Sequence, residues 1–199
     1  MPRLVAVFDI DGTLANHNHR AAILQKRCDV CLHEPVPIGH HVPCPTCGST
    51  DSTPTQESWD AFLDSDLMAH DPVIQQGVEV LERLRALGAE IHFITGRQRT
   101  HSGEVTENWL LFNCKRNVET EHLMMRETED FDLPASKYKE KAVGRLKEKI
   151  GEEGVFFFFE DDPHVFSMYD KHGIVIRCPQ GLQHFMPPGS RFAEQNRSI

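Results

Sequence analysis

Two carboxylates one residue apart, Asp9 and Asp11, close the apolar run Val5-Ala6-Val7-Phe8 and are followed at once by Gly12 and Thr13. A short unbroken apolar run suits a strand buried on both faces of a parallel sheet. Strand alternation puts Asp9 and Asp11 on one side of the chain, where Gly12 allows it to turn. Adjacent carboxylates repel each other unless a cation lies between them or one carries a proton. Two further apolar runs end in reactive side chains: Ile91–Ile94 leads into Thr95-Gly96-Arg97, and Val155–Phe159 into Glu160-Asp161-Asp162. Parallel strands share a carboxyl edge, so the three ends converge if their strands are neighbours. The set suits phosphoryl transfer, in which charge on oxygen must be neutralised and reactants held in line. Asp9 can attack phosphorus, and Asp11 can pass a proton to the leaving alcohol and later take one from water. That role requires a protonated Asp11, and neighbouring carboxylates are expected to raise its pKa. Asp9, Asp161 and a backbone carbonyl suit Mg²⁺, and Thr95 can bond a phosphoryl oxygen. Taken singly, Asp9-Ile10-Asp11 also fits an ordinary strand ending in a polar turn.

A second group of ligand-type residues follows. Cys28-Asp29-Val30-Cys31 and Cys44-Pro45-Thr46-Cys47-Gly48 are two C-x-x-C knuckles with 12 residues between them. This pattern predicts a closed, structural tetrahedral Zn²⁺ site, with a redox pair or two unconnected turns as the alternatives. His17, His19, His33, His40 and His41 lie nearby and read as loop or substrate-facing residues rather than ligands.

The elements that must hold these groups follow from periodicity. Residues 16–58 show little pattern, as expected of an insert held by metal rather than by an apolar core. Asp71-Pro72 reads as a helix cap with proline at the first helical position, followed by Val73, Val78, Leu81, Leu84 and Leu87 and stopped by Gly88. Glu104–Phe112 is expected to be helical, Glu121–Met125 a strand, Lys137–Ile150 an amphipathic helix and Ile174–Arg177 a strand. The residues from Pro179 onward read as loop. Alternating strands and helices predict an α/β fold with a mainly parallel sheet: a core of residues 1–15 and 59–178, a small zinc-binding insert at 16–58, and a tail at 179–199.

Bulk properties narrow the function classes. The 199 residues are 39% apolar and 26% charged, enough for one buried core. The net charge of −9 argues against a general nucleic-acid-binding surface. No apolar run approaches the roughly 20 residues of a membrane span, and no export signal is visible, so a cytoplasmic protein is expected. No G-x-x-x-x-G-K-[ST] phosphate loop is present, so no kinase activity is implied.

The three strand ends resemble the motifs of haloacid dehalogenase (HAD) superfamily phosphatases: Asp9-Ile10-Asp11-Gly12-Thr13 for motif one, Thr95-Gly96-Arg97 for motif two and Glu160-Asp161-Asp162 for motif four. The insert lies where that superfamily places its first cap. Trp59-Asp60-Ala61-Phe62, Asp71-Pro72, Thr106-Glu107-Asn108-Trp109-Leu110 and Leu123-Met124-Met125-Arg126 are similar to the phosphatase domains of bacteriophage polynucleotide kinases. The resemblance implies a Rossmann-like core, an Asp9 nucleophile, an Asp11 general acid/base and Mg²⁺ held by Asp9, Asp11, Asp161 and Asp162, with Asp162 more an orienter than a direct ligand. It also implies Gly96 and Arg97 at the substrate, and a lysine from motif three. Lys139 is preferred over Lys141 and Lys137 because Tyr138, Ala142 and Val143 set it at the start of an apolar helix face. Arg126 can contact a substrate phosphate. The expected substrates are phosphorylated small molecules, nucleotides or nucleic-acid 3′-phosphate ends, in a bacterial or phage-infected cytoplasm. The competing expectation is a zinc-ribbon module that docks a nucleic-acid or protein partner.

Overall fold

Strand β1, Arg3–Phe8, becomes completely buried from Val5 onward and forms the middle of the sheet. In the computed structural model, which describes residues 3–24, 26–34, 43–151 and 153–178, β1 is flanked by β4 (Glu90–Gln98) and β6 (Gly154–Glu160). Strand β5 (Leu123–Arg126) pairs with β4, and β7 (Ile174–Arg177) pairs with β6, giving a five-stranded sheet in the order β5-β4-β1-β6-β7. Every pairing in it is parallel. His40, His41 and the 179–199 tail lie outside the described residues.

Alternation along β1 divides the core between two faces. Ala6 and Phe8 pack with Ile91, Phe93 and Phe159 against α4 (Gln75–Ala86) and α5 (Arg99–Cys114), which supply Val78, Leu81, Trp109 and Leu110. Val5 and Val7 pack with Ile94, Phe156 and Phe158 against α6 (Ala135–Ile150) and α7 (Pro163–Tyr169), which supply Tyr138, Val143, Leu146 and Val165. The parallel α/β architecture is as expected, and the strand ends carrying Asp9, Arg97 and Asp161 do share one edge. Among the described residues no helix is long and apolar enough to cross a membrane.

Three expectations need correction. The helix after Asp71-Pro72 starts only at Gln75, with Ile74 as its cap. Pro72 accepts the Asn16 N–H and Ile74 donates to the Leu14 carbonyl, so this segment is extended alongside the Asp11 loop and cannot yet coil. The segment between Asn16 and Ser58 is not without regular structure. It holds α1 (Asn18–Ala21), the antiparallel ribbon of β2 (Lys26–Cys28) and β3 (Ser52–Pro54), and the start of α2 (Gln56–Phe62), which α3 (Ser65–Ala69) follows. The helix expected at Glu104 begins five residues earlier, directly after β4.

At the opposite edge of the sheet His92 is 2% exposed and stacks on the His122 ring at 4.8 Å. Its Nδ1 accepts the His122 backbone N–H at 3.0 Å, while its Nε2 has no hydrogen-bond partner among the described residues. Burial, reinforced by His122 and opposed by Glu90, pushes its pKa down to about 4. The unfolded chain therefore takes up a proton near pH 6.5 that the folded one refuses, so stability is fully present above that pH and falls as the pH drops toward 4. The cost is about 1.4 kcal/mol per pH unit. In urea melts at pH 7 and pH 5, His92→Leu is expected to lose about 2 kcal/mol less than the parent between the two conditions. Parallel losses would show that His92 does not carry this dependence.

Candidate functional site

The site is assembled where β1 runs out. The Asp9 N–H still bonds the Phe159 carbonyl at 2.9 Å, so Asp9 is held in the ladder beside β6, and its side chain is 6% exposed. The chain then turns through Gly12 at φ +81°, and a Cβ there would fall 2.1 Å from Asp161 Oδ2. Only glycine lets the two acidic strand ends come this close. Gly77 does the same for α4, where a Cβ would lie 2.2 Å from the Thr13 carbonyl oxygen.

Of the three candidate lysines, Lys139 is the one at this edge. Its Nζ donates to Asp9 Oδ1 at 3.0 Å and to Glu160 Oε2 at 2.6 Å, and it is 4% exposed. Lys141 pairs with Asp130, and Lys137 pairs with Glu140 on the surface. Carboxylate oxygens of Asp9, Glu160 and Asp161 lie within 4.8 Å of one another. Desolvation, together with the neighbouring carboxylates and against the pull of Lys139, pushes Asp9 up to about 8 and Asp161 up to about 9. One ammonium does not balance three clustered carboxylates, two of them buried and Asp161 partly so, and a hard cation with oxygen ligands fits this donor set. Glu160 is fully committed, its Oε1 accepting the N–H groups of Asp161 and Asp162. Asp9 and Asp161 therefore keep the free oxygens.

Asp11 faces a different environment. Arg97 donates to its Oδ2 at 3.0 Å and its Oδ1 at 2.7 Å, and Arg20 donates to Oδ1 at 2.6 Å. Both arginines also bind Asp71, which is 4% exposed. Burial would raise the Asp11 pKa, but the guanidiniums of Arg97 and then Arg20 outweigh it and hold the carboxyl well below its usual range. The expected upward shift is thus reversed: the nearest charges are cations rather than carboxylates. With both oxygens taken, Asp11 is not part of the carboxylate cluster that could hold metal, and neither is Asp162. Asp162 accepts the His164 N–H at 2.9 Å and caps α7, whose first residue is Pro163.

Thr95 is fully buried, and its hydroxyl accepts the Arg97 N–H at 3.3 Å. Arg97, 2% exposed, is saturated by Asp11, Asp71 and Thr106, so it clamps Asp11 instead of presenting a free guanidinium to an anion. Gly96 and Arg126 line the pocket. Arg126 lies 5.0 Å above the Tyr138 ring and donates to the carbonyls of Asp130 and Leu133. The pocket over the cluster has a volume of about 400 Å³, and its outer wall includes Trp59, Phe62, Leu63, Phe131 and Leu133. The Trp59 and Phe62 rings stack at 5.3 Å, with Trp59 41% exposed.

Sequence reasoning missed Glu160, Arg20 and Asp71. Glu160 was visible as the polar end of the Phe156–Phe159 run but was passed over for the two aspartates after it. Arg20 and Asp71 meet across 51 residues, and no local pattern announces such a pair.

In the insert, Cys28 Sγ lies 3.5 Å from Cys47 Sγ and Cys31 Sγ lies 3.6 Å from Cys44 Sγ. All four sulfurs fall within 4.8 Å of one another and none is in a disulfide. Thiolates around a tetrahedral zinc with bonds of about 2.3 Å are about 3.8 Å apart, so the cluster fits that ion. Of the nearby histidines, His19 Nε2 meets the Leu67 carbonyl, and His17 is buried with its ring edge toward Phe62.

No curated protein sequence matches this chain. Among solved structures, a chain of the Pnkp1/Rnl/Hen1 complex aligns with TM-score 0.54 and 17% identity over 89% of this chain and 45% of its own length. This chain thus spans less than half of that protein. Protein Tyrosine Kinase A of Mycobacterium tuberculosis aligns with TM-score 0.57 and 16% identity, covering 88% of this chain and 83% of its own. A Class C acid phosphatase from Bacillus anthracis with tungstate bound aligns with TM-score 0.51 and 12% identity, covering 100% and 80%. At these identities the likeness is one of fold. The model of HAD superfamily subfamily IIIB, described as acid phosphatase, matches residues 47–157, a span that includes Thr95, Arg97 and Lys139 but not Asp9 or Asp11. The chain, matched over more than half its length, belongs to the subfamily IIIB acid phosphatases of the HAD superfamily.

Proposed function

We propose that this protein is a phosphatase, a Mg²⁺-dependent phosphomonoesterase that works through an aspartyl-phosphate on Asp9. The observation that carries the reading is the buried cluster of Asp9, Glu160 and Asp161 around Lys139 on the floor of the pocket. Asp9 and Asp161 would hold the ion, which supplies charge neutralisation for the phosphoryl oxygens. An Asp9 carboxylate oxygen attacks phosphorus as the bond to the leaving oxygen breaks. That oxygen leaves as the alcohol, with the proton carried in by the substrate as its monoanion. Asp11, kept ionised by Arg20 and Arg97, then takes a proton from the water that attacks the acyl phosphate. Water leaves its oxygen on phosphorus, the bond from Asp9 to phosphorus breaks, and Asp11 passes its proton to the departing phosphate, so that both carboxylates are regenerated. Lys139 holds Asp9 in place and offsets the accumulating charge, while Arg97 and Thr95 set the loop beneath it.

The substrates are nucleotides, or nucleotide-like 3′-phosphate ends of nucleic acid. The stacked Trp59 and Phe62 at the mouth offer a flat π surface to a base. Every pocket cation is already engaged: Arg20 and Arg97 by carboxylates, Lys139 by Asp9 and Glu160, Arg126 by carbonyls. This arrangement favours a mononucleotide over a long acidic chain, against the polynucleotide-end reading that the phage-kinase resemblance suggests. The Cys28, Cys31, Cys44 and Cys47 cluster binds a structural zinc, and the insert acts as a small cap. The docking reading draws on the exposure of Val30 and Leu32, at 63% and 64%, on the first knuckle.

With Mg²⁺ present, the protein is expected to release phosphate from a nucleoside 3′- or 5′-monophosphate. Asp9→Asn should lower kcat by about a thousandfold or more. Wild-type turnover in that variant would remove Asp9 as nucleophile. Trp59→Ala should reduce the preference for adenosine 3′-monophosphate over methyl phosphate about tenfold in kcat/KM, and an unchanged ratio would remove the stacking wall from substrate recognition.

A further inference from the structure

Among the described residues of the insert from Lys26 to Pro54, the buried apolar groups are thiols. Its buried cluster among the described residues consists of Cys28 and Cys44. Its ribbon pairs three residues with three: Lys26 with Pro54, Arg27 with Thr53 and Cys28 with Ser52. The knuckle turns add backbone bonds from the N–H groups of Cys28, Asp29, Leu32, Cys44 and Gly48 to the carbonyls of His33, Asp51, Cys28, Ser49 and Cys44 in turn. Hydrogen bonds of that number do not order so small a unit without a metal or a core.

The two legs of the ribbon nonetheless run directly into the substrate pocket. Strand β2 follows α1, which carries Arg20. Strand β3 leads through Thr55, whose hydroxyl accepts the Ser58 N–H, into α2, which carries Trp59 and Phe62. The legs meet at one junction, where Arg20 Nη1 donates to the Phe62 carbonyl at 2.9 Å and its guanidinium sits 4.8 Å over the Phe62 ring. Burial alone does not pin this wall, since Trp59 is 41% exposed and Phe62 is only partly buried. Arg20 is fixed from the other side by Asp11 and Asp71. Upstream of α2 the chain is held first by the β2–β3 ribbon and then by the four-cysteine centre, where Cys28 of β2 is itself one of the four sulfurs.

We propose that this centre is a zinc clasp for the pocket wall: by joining Cys28 and Cys31 after α1 to Cys44 and Cys47 before α2, the ion fixes where Trp59 and Phe62 stand over the catalytic floor. The reading of what the wall recognises rests on the phosphatase proposal, whereas the clasp itself does not. Zinc loss leaves Asp9, Lys139, Glu160 and Asp161 in the sheet framework and frees the wall, so it acts on substrate preference rather than on the chemical step alone.

The test uses the full chain loaded with zinc, stripped with a strong chelator and returned to excess Mg²⁺. Stripping should release one zinc per chain to a chromogenic indicator. It should also lower hydrogen-exchange protection of residues 56–62 at least about tenfold while β1 and β4 keep theirs. The kcat/KM preference for adenosine 3′-monophosphate over methyl phosphate should fall about tenfold and return when zinc is added back. In a Trp59→Ala background, stripping should change that preference by less than about twofold, because both changes remove the same contact. The double variant Cys31→Ser/Cys47→Ser, read by zinc content and exchange, should match the stripped protein. Absence of zinc, or zinc release with α2 protection unchanged, overturns the clasp. So does a preference that falls equally with and without Trp59. If neither form hydrolyses any phosphomonoester, the phosphatase reading fails, and the exchange result still decides the clasp.

Discussion

The structure depends on carboxylates taken out of water at the carboxyl edge of a buried sheet. Asp9, Glu160 and Asp161 lie within 4.8 Å of one another, on strands whose preceding residues are almost wholly apolar. Such a cluster is unfavourable by itself, since desolvation and mutual repulsion both oppose ionisation. Lys139, reaching over from α6, offsets part of it. Gly12 permits the approach of Asp161 by carrying no Cβ. The remaining excess of negative charge is what the proposed cation, and through it a phosphorylated substrate, would neutralise.

A second charge system separates Asp11 from this cluster. Arg20 and Arg97 lie between Asp11 and Asp71, so two acids and two bases form a compact buried square. Each member comes from a different segment: the β1 loop, α1, the segment before α4 and the end of β4. Removing any one would leave its two partners with a single counter-charge each, which costs more than the lost pair interaction alone is worth. Two carboxylates only one residue apart thus differ in state, Asp9 shifted upward and Asp11 downward. Environment sets that difference, in the way that paired acids divide their roles in many active sites.

Much of this was legible in the sequence, and the division has a physical reason. Strand ends are local: the apolar runs before Asp9, Thr95 and Asp161 announced three buried strands, and the parallel fold brought them to one edge. The helix period singled out Lys139, because Tyr138, Ala142 and Val143 reveal which face of α6 meets the sheet. The C-x-x-C pairs announced the cysteine cluster through spacing alone. What stayed hidden was long-range pairing. Asp71 looked like a helix cap because Asp-Pro is a common start, yet its carboxylate is claimed by Arg20 and Arg97 and its backbone runs beside the Asp11 loop. The upward shift expected at Asp11 failed for the same reason: it counted the acids near in sequence and missed that Arg97, from the end of β4, and then Arg20, from α1, both turn onto that carboxylate. Asp162 was read as an orienter beside the metal site; its carboxylate accepts the His164 N–H and caps α7, a role the following proline announces.

The central claim is that Asp9, and not a neighbouring carboxylate, becomes phosphorylated. Acyl phosphates are reduced by borohydride to the corresponding alcohol, which converts a phosphorylated aspartate to homoserine. The enzyme, quenched during turnover of a nucleoside monophosphate, reduced and sequenced by mass spectrometry, should carry homoserine at position 9. Homoserine at position 11 or 161, or none at all in an enzyme that is releasing phosphate, would contradict the account.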